Sequence, residues 1–182
     1  MKRISLLLLL VLGHGWLLAQ DLGANSSTRS SVQLDGPRFG VTHISGQLAR
    51  DLKETFGANP FISQFGWQVE NQFFTLPTGT SGVVEFVALL GGFEQGLILP
   101  SATMLVGIRN HRGVEVGFGP NISVAGASLA FAAGVTFQAY GINFPLNLAY
   151  VPSREGGRIS LLFGFNAISR PPKEAGTRRG LF

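Results

Sequence analysis

Residues 61 to 76 read FISQFGWQVENQFFTL and alternate with a period of two. Phe61, Ser63, Phe65, Trp67, Val69, Asn71 and Phe73 share one face, while Gln64, Gly66, Gln68, Glu70 and Gln72 share the other, which predicts a long strand with one apolar side. In a soluble sandwich or carrier barrel such aromatics point inward, and the outer face carries the charged residues that water favours. The later strands supply no such face. Their second sides are Gly, Ala, Ser and Asn, which suit a crowded lumen better than a wetted surface. The large apolar side is therefore expected to meet lipid, with Phe65, Trp67, Phe131, Phe144 and Phe163 as lipid-facing residues.

The pattern predicts further strands over 38–45, 82–91, 102–109, 114–119, 128–137, 142–151 and 158–168. The stretch 82–91 is apolar on both faces, so its orientation stays open. The sequence NHRG at 110–113 marks a tight hairpin, and PNISVAGA at 120–127 reads as a loop. Pro145 lacks a donor for a ladder and predicts a bulge or a local loss of pairing. Between the first two strands Leu48, Leu52 and Phe56 recur at helical spacing before Gly57, which predicts a short amphipathic helix over 46–56. A strand from 61 to 73 rises about 40 Å, and a tilt of about 40° leaves roughly 30 Å along a membrane normal. About eight strands result, and only a closed sheet satisfies every backbone N–H and C=O in hydrocarbon. The expected fold is all-β, an eight-stranded antiparallel up-and-down transmembrane β-barrel with one short helix in the first connection.

Composition agrees with a bilayer environment. Of 182 residues, 45% are hydrophobic and 13% charged, with 25 Gly and 15 Phe, which argues against disorder. The opening MKRISLLLLLVLGHGWLLAQ has Lys2 and Arg3, an apolar run and Ala19, and reads as a signal peptide over 1–19. Read instead as an anchor helix, the run is too short to span, being interrupted by His14 and Gly15. A flexible leader is expected over 20–36, the barrel over 37–169 and a basic flexible tail over 170–182. No Cys is present, which excludes a lipoprotein anchor and a disulfide framework and favours a bacterial envelope protein. The pI near 10.1 comes from the two ends. Residues 20 to 169 carry eight basic and nine acidic side chains, so no nucleic-acid footprint exists in the body. Two scattered histidines, His43 and His111, remain after the signal and give no reason to expect a metal or another cofactor.

On the proposed inner faces stand Gln64, Gln68, Glu70, Gln72, Glu85, Arg109, Glu115, Asn143, Asn147 and Asn166. Such a lumen can be a hydrogen-bonded plug in which Arg109 pairs with Glu115 or Glu70, since an unpaired charge there would be costly. A polar track for a small solute is the functional alternative. An eight-stranded barrel is just wide enough to be filled by its own side chains, which favours the plug.

The export signal, strand number and inverted alternation over about 38–168 resemble the small bacterial outer-membrane β-barrel proteins. That resemblance implies periplasmic termini, an extracellular 46–60 connection and residence in the cell outer membrane, with the lipid bilayer as partner. Members usually end their last strand on an aromatic residue; here Phe182 lies beyond the tail, whereas Phe163 and Phe165 lie within the strand. Some small outer-membrane barrels are lipid-A deacylases with a His-x-Ser pair and an acidic partner, which makes His43 and Ser45 the weak catalytic candidates, with Glu54 merely near in sequence. A non-enzymatic envelope protein is the leading expectation, with a structural, interaction or porin-like small-solute role and no ligand specified. An exported lipocalin-like carrier of a hydrophobic ligand, its aromatics lining a pocket, is the alternative.

Overall fold

A computed structural model describes residues 34 to 167. The expected signal peptide, all but the last three residues of the leader, and the tail lie outside the described residues.

Eight antiparallel strands close on themselves. They are β1 (Gly36–Ile44), β2 (Phe61–Thr75), β3 (Ser81–Gly91), β4 (Leu99–Arg109), β5 (Val114–Ser123), β6 (Gly126–Ala139), β7 (Ile142–Val151) and β8 (Arg158–Gly164). Each pairs with its sequence neighbours, and β1 pairs with β8 to complete the circle. A two-residue segment, Asn166–Ala167, pairs with β7 in the register that β8 already holds, so it continues β8 past an interruption at Phe165. The fold is thus the closed up-and-down barrel that the alternation predicts, and helix α1 (Gln47–Phe56) lies in its first connection. Gly57 ends α1 in the left-handed region and donates its N–H to Lys53 O at 2.9 Å.

Two prolines decide where ladders lapse. Pro145 keeps its place opposite Thr136 on β6, but on its other side pairing stops between Leu146–Phe163 and Asn143–Asn166. The expected loss of pairing therefore occurs on one edge only, and β6–β7 runs through it unbroken. Pro120 behaves likewise: the β4–β5 ladder lapses between Val106–Phe118 and Thr103–Asn121, while β6 stays paired throughout. This corrects the reading of 120–127 as a loop. Residues 120–123 complete β5, and the turn is confined to Val124 and Ala125 before Gly126 at φ 99°.

At one end of the barrel stand short turns, at 76–80, 110–113 and 140–141, together with both described chain ends. In the NHRG turn the Asn110 side-chain oxygen accepts from the N–H groups of Arg112 at 2.9 Å and Val114 at 3.0 Å. The 140–141 turn needs positive φ at both residues, which Gly141 supplies freely and Tyr140 adopts at 52°. At the opposite end lie α1, the 92–98 connection with a 3₁₀ turn (Phe93–Gln95), the 124–125 turn and the 152–157 loop.

The faces are inverted relative to a soluble barrel. Among the described residues, thirty-three large hydrophobic side chains are exposed and eleven hydrophobic residues are buried. Every strand contributes to the exposed band, including Phe39, Trp67, Phe86, Phe118, Phe131 and Phe163. The buried polar set includes Arg38, Glu70, Glu85, Arg109 and Glu115. Soluble monomers rarely expose contiguous apolar patches beyond a few hundred Å². A continuous apolar belt around a charged lumen belongs in hydrocarbon, and the closed ladder leaves no strand edge to desolvate. The open question of β3 is answered by the same rule: Val83, Glu85, Val87 and Leu89 are buried while Phe86 and Leu90 are exposed. Phe118, which pairs with Val106 on one side and Phe131 on the other, sits within this belt. Phe118→Arg is expected to destabilise the barrel in vesicles by about 2–4 kcal/mol, read from urea unfolding; a loss indistinguishable from zero would contradict lipid exposure at that position.

Candidate functional site

Inward-facing residues stack in layers that follow from the register. Deepest, toward the short turns, Gln138 Nε2 donates to Asn143 Oδ1 at 3.2 Å. Above them comes a charged layer centred on Arg109. Its Nε donates to Glu115 Oε2 at 2.8 Å, and one terminal nitrogen donates to Glu70 Oε1 at 2.5 Å. The other terminal nitrogen reaches Glu115 Oε2 at 2.6 Å, the second Glu70 oxygen, and lies 3.8 Å from Glu85 Oε1. Arg109 therefore pairs with both glutamates, where the sequence left a choice of one. Asn147 donates to the remaining Glu115 oxygen, and Gln68 Nε2 donates to Glu85 Oε2 at 3.2 Å.

A second guanidinium completes this layer. Arg38 is fully buried; its Nε donates to Gln68 Oε1 at 3.0 Å, and its terminal nitrogens donate to Leu34 O at 2.8 Å and Pro37 O at 3.1 Å. Glycines make room for these groups. A Cβ on Gly134 would lie 2.4 Å from Asn147 Nδ2, and one on Gly164 would lie 2.4 Å from an Arg38 terminal nitrogen. Oxygen atoms of Glu70, Glu85 and Glu115 lie within 4.8 Å of one another, close enough to hold a cation. The Arg109 guanidinium already serves as that cation.

The next layer is apolar, with Val87, Leu89 and Leu162 packed together and Leu105, Ala130 and Val151 forming a second group. It encloses a cavity of about 60 Å³. Above it lies a polar ring. Thr42 Oγ1 donates to Gln64 Oε1 at 2.5 Å and lies 2.6 Å from Ser160 Oγ. Asn121 Nδ2 donates to Thr103 Oγ1 at 2.8 Å, and Arg158 donates to Asn121 Oδ1 at 2.8 Å and to Ser123 Oγ at 2.6 Å. Past the ring the barrel opens into a mouth cavity of about 590 Å³. Helix α1 stands at this mouth, with Leu52 packed on Ala58 and Ile62 and flanked by Ile44, Leu97 and Leu99.

Gln64 and Gln72 are half-buried on the inner side of β2, and Asn166 is half-buried opposite Asn143. The five aromatics assigned to lipid all stand on the perimeter. Phe65, Trp67, Phe131 and Phe163 are exposed, and Phe144 is half-buried and stacked on Phe163 at 6.2 Å between ring centroids. This placement removes the lipocalin-like reading, which required the rings to line the cavity.

His43 and Ser45 each have another neighbour. The His43 ring packs against Phe61 at 4.7 Å on the outer face. The Ser45 hydroxyl lies past the end of β1, donates to Gly157 O at 3.0 Å and accepts from Gly157 N–H at 3.1 Å. Among the described residues neither side chain is bonded to the acidic partner that a triad requires. The Gly-rich GGFEQG segment is likewise a tether: Glu94 accepts from Ser63 N–H at 2.8 Å and from the Ser63 hydroxyl, and Gln95 Nε2 donates to Phe61 O at 2.8 Å.

The sequence reading missed Arg38, Thr42, Asn121 and Arg158. Arg38 and Thr42 flank Gly40 on the even face of β1, and Arg158 shares parity with Ser160, so the same alternation identifies all three. Asn121 was hidden by the loop assignment.

No family model matches the chain, and no curated protein matches it. Solved structures similar to it include Ail, the attachment invasion locus protein of Yersinia pestis, at 14% identity over 73% of this chain and 96% of that one, with a TM-score of 0.47. Ail in complex with the heparin analogue sucrose octasulfate is similar at 11% identity over 75% of this chain and 99% of that one, with a TM-score of 0.29. The closed ladder and inverted faces described above identify the architecture directly. This is a small closed eight-stranded antiparallel β-barrel with its large apolar residues on the perimeter.

Removing Arg109 leaves three buried carboxylates facing one another. Arg109→Gln is expected to cost about 3–5 kcal/mol by urea titration of Trp fluorescence in vesicles, and adding Glu70→Gln should recover part of that loss. A neutral single substitution would show that the layer carries no stability. At the mouth, the hydrogen bond from the Ser63 hydroxyl holds the Glu94 carboxyl down to about 2, below its ordinary 4.5. Because the folded value is depressed, the stabilising contribution is present above the ordinary value and is lost as pH falls toward about 2. The Glu94 carboxyl resonance should inflect near 2 in the native chain and move back toward 4.5 in Ser63→Ala. An unchanged inflection would refute the tether.

Proposed function

We propose that the chain is an integral protein of the bacterial outer membrane whose barrel is closed to solutes and performs no chemistry of its own, its role being structural or interactive at the envelope. The observation that carries this reading is the Arg109 layer. Glu70 on β2, Glu85 on β3 and Glu115 on β5 converge on one guanidinium from β4, and Arg38 and Asn147 extend the contact to β1 and β7. The lumen is thereby occupied across its width by groups bonded to one another. A conducting track needs sites that release their ion, whereas these charged groups are bonded to one another.

The inverted faces support the bilayer as partner, and the export signal read over residues 1–19 supports the outer membrane over an inner one. The packing of the His43 ring on Phe61 and the bonding of the Ser45 hydroxyl to Gly157 support a non-enzymatic role. Both described ends lie with the short turns, so the helix-bearing mouth faces outward if the termini are periplasmic, as in small barrels generally.

Reconstitution tests this directly. The purified chain should fractionate with outer membranes, migrate faster on gels before heating than after, and give no resolved conductance in planar bilayers. Arg109→Ala combined with Glu70→Ala and Glu115→Ala should admit small ions. Steady single-channel currents from the native chain, or its recovery from the soluble periplasm, would overturn the reading.

A further inference from the structure

The mouth cavity has a polarity gradient that the closed lumen does not explain. Its walls are apolar: Ile44, Leu48, Leu52, Leu97, Leu99 and Val124 come from β1, α1, β4 and two connections. Its floor is the polar ring, where Arg158 lines both the mouth cavity and the small cavity beneath. At about 590 Å³ the space lies within the range of small-molecule sites. The cavity beneath, about 60 Å³, is too small for anything but water, so a ligand would stop at the ring.

Arg158 differs from the other two guanidiniums of the lumen. Arg109 has three carboxylates around it, and Arg38 is bonded to Gln68, which itself donates to Glu85. Arg158 forms no ion pair among the described residues; it donates only to the neutral oxygens of Ser123 and Asn121, and its buried Nε–H has no hydrogen-bond partner. The acidic residue on the cavity lining is Asp51, which is exposed on α1 and accepts from Gln47 Nε2 at 2.6 Å. A half-buried cation held by neutral groups and facing an open apolar cavity is complementary to an anion bearing an apolar body.

We propose that the mouth pocket binds a small amphipathic monoanion, with its carboxylate or other acidic head on Arg158 and its hydrocarbon body against Leu48, Leu52, Leu97 and Val124 beneath α1. The head goes in first, because the cation lies at the floor and the apolar walls lead outward. The occupant's chemistry is shared by free medium-chain carboxylates and by an anionic lipid reaching over the rim. The inference does not depend on whether the lumen conducts, so failed binding would leave the closed-barrel reading standing.

Decanoate labelled with ¹³C at its carboxyl is the probe, titrated into the full barrel in phosphatidylcholine nanodiscs, with protein-free discs giving the partition background. The native barrel should bind one equivalent saturably above that background. Arg158→Gln should weaken binding at least tenfold, and Leu52→Trp, which fills the cavity without touching the cation, should abolish it. Decanol and decyltrimethylammonium should not compete. Gel migration before and after heating identifies variants that remain folded; where Arg158→Gln does not fold, Leu52→Trp and the uncharged competitor decide the matter. Competition by phosphatidate placed in the discs would assign the site to a lipid head, and its absence to a free carboxylate. Binding no greater than in protein-free discs, equal binding by folded Arg158→Gln, or equal competition by decanol would overturn the proposal.

Discussion

Arg109 joins three strands that are not all neighbours, taking a carboxylate from β2, one from β5 and the proximity of a third from β3. Much of the interior depends on that convergence. A lumen bounded by lipid has no bulk water to solvate an ion, so each charge must be met by a partner already in place. The layer therefore acts as an internal cross-brace in a fold whose backbone ladder links only adjacent strands. Its constraint reaches the sequence twice, once as the charged residues themselves and once as the glycines at 134 and 164 that leave them space.

Apolar burial plays an unusually small part in such a molecule. The described interior holds two compact groups above the charged layer and a third under α1, while the larger hydrophobic side chains are outside. In water this distribution would be untenable. In a bilayer it separates tasks: lipid solvates the perimeter, the closed ladder satisfies the backbone, and the polar interior holds the cross-section.

That separation explains what was readable in the chain. Period-two alternation was strong wherever one face met lipid and the other met the lumen, so strand number, closure and the direction of Phe65, Trp67, Phe131, Phe144 and Phe163 followed from pattern alone. It weakened where both faces were apolar, as in β3, because the lumen itself carries an apolar layer at the level of Val87 and Leu89. It also weakened from Pro120, where 120–127 reads as a loop although only one of the two flanking ladders lapses. Partners for Arg109 were legible as a set of acidic residues on inner faces. Their simultaneous engagement was not, because it depends on shear between strands, which fixes the levels at which residues 70, 85, 109 and 115 meet.

The two ends of the barrel show why a cavity forms where it does. At the short-turn end the chain leaves one strand and enters the next within a few residues. At the other end the 45–60 and 92–98 connections travel farther; Gln95 donates to Asn59 O of the first connection at 3.3 Å, and Glu94 accepts from Ser63 N–H of β2. Leu48 N–H donates to Glu155 O at 3.0 Å and Ser45 N–H to Gly157 O at 2.9 Å, which ties α1 to the 152–157 loop at the rim. A helix held there packs Leu52 against one wall and leaves the remainder of the opening unfilled. The cavity is thus a geometric result of anchoring a rigid helix beside a round mouth, and the residues that line it are separate from the charged layer that braces the strands beneath.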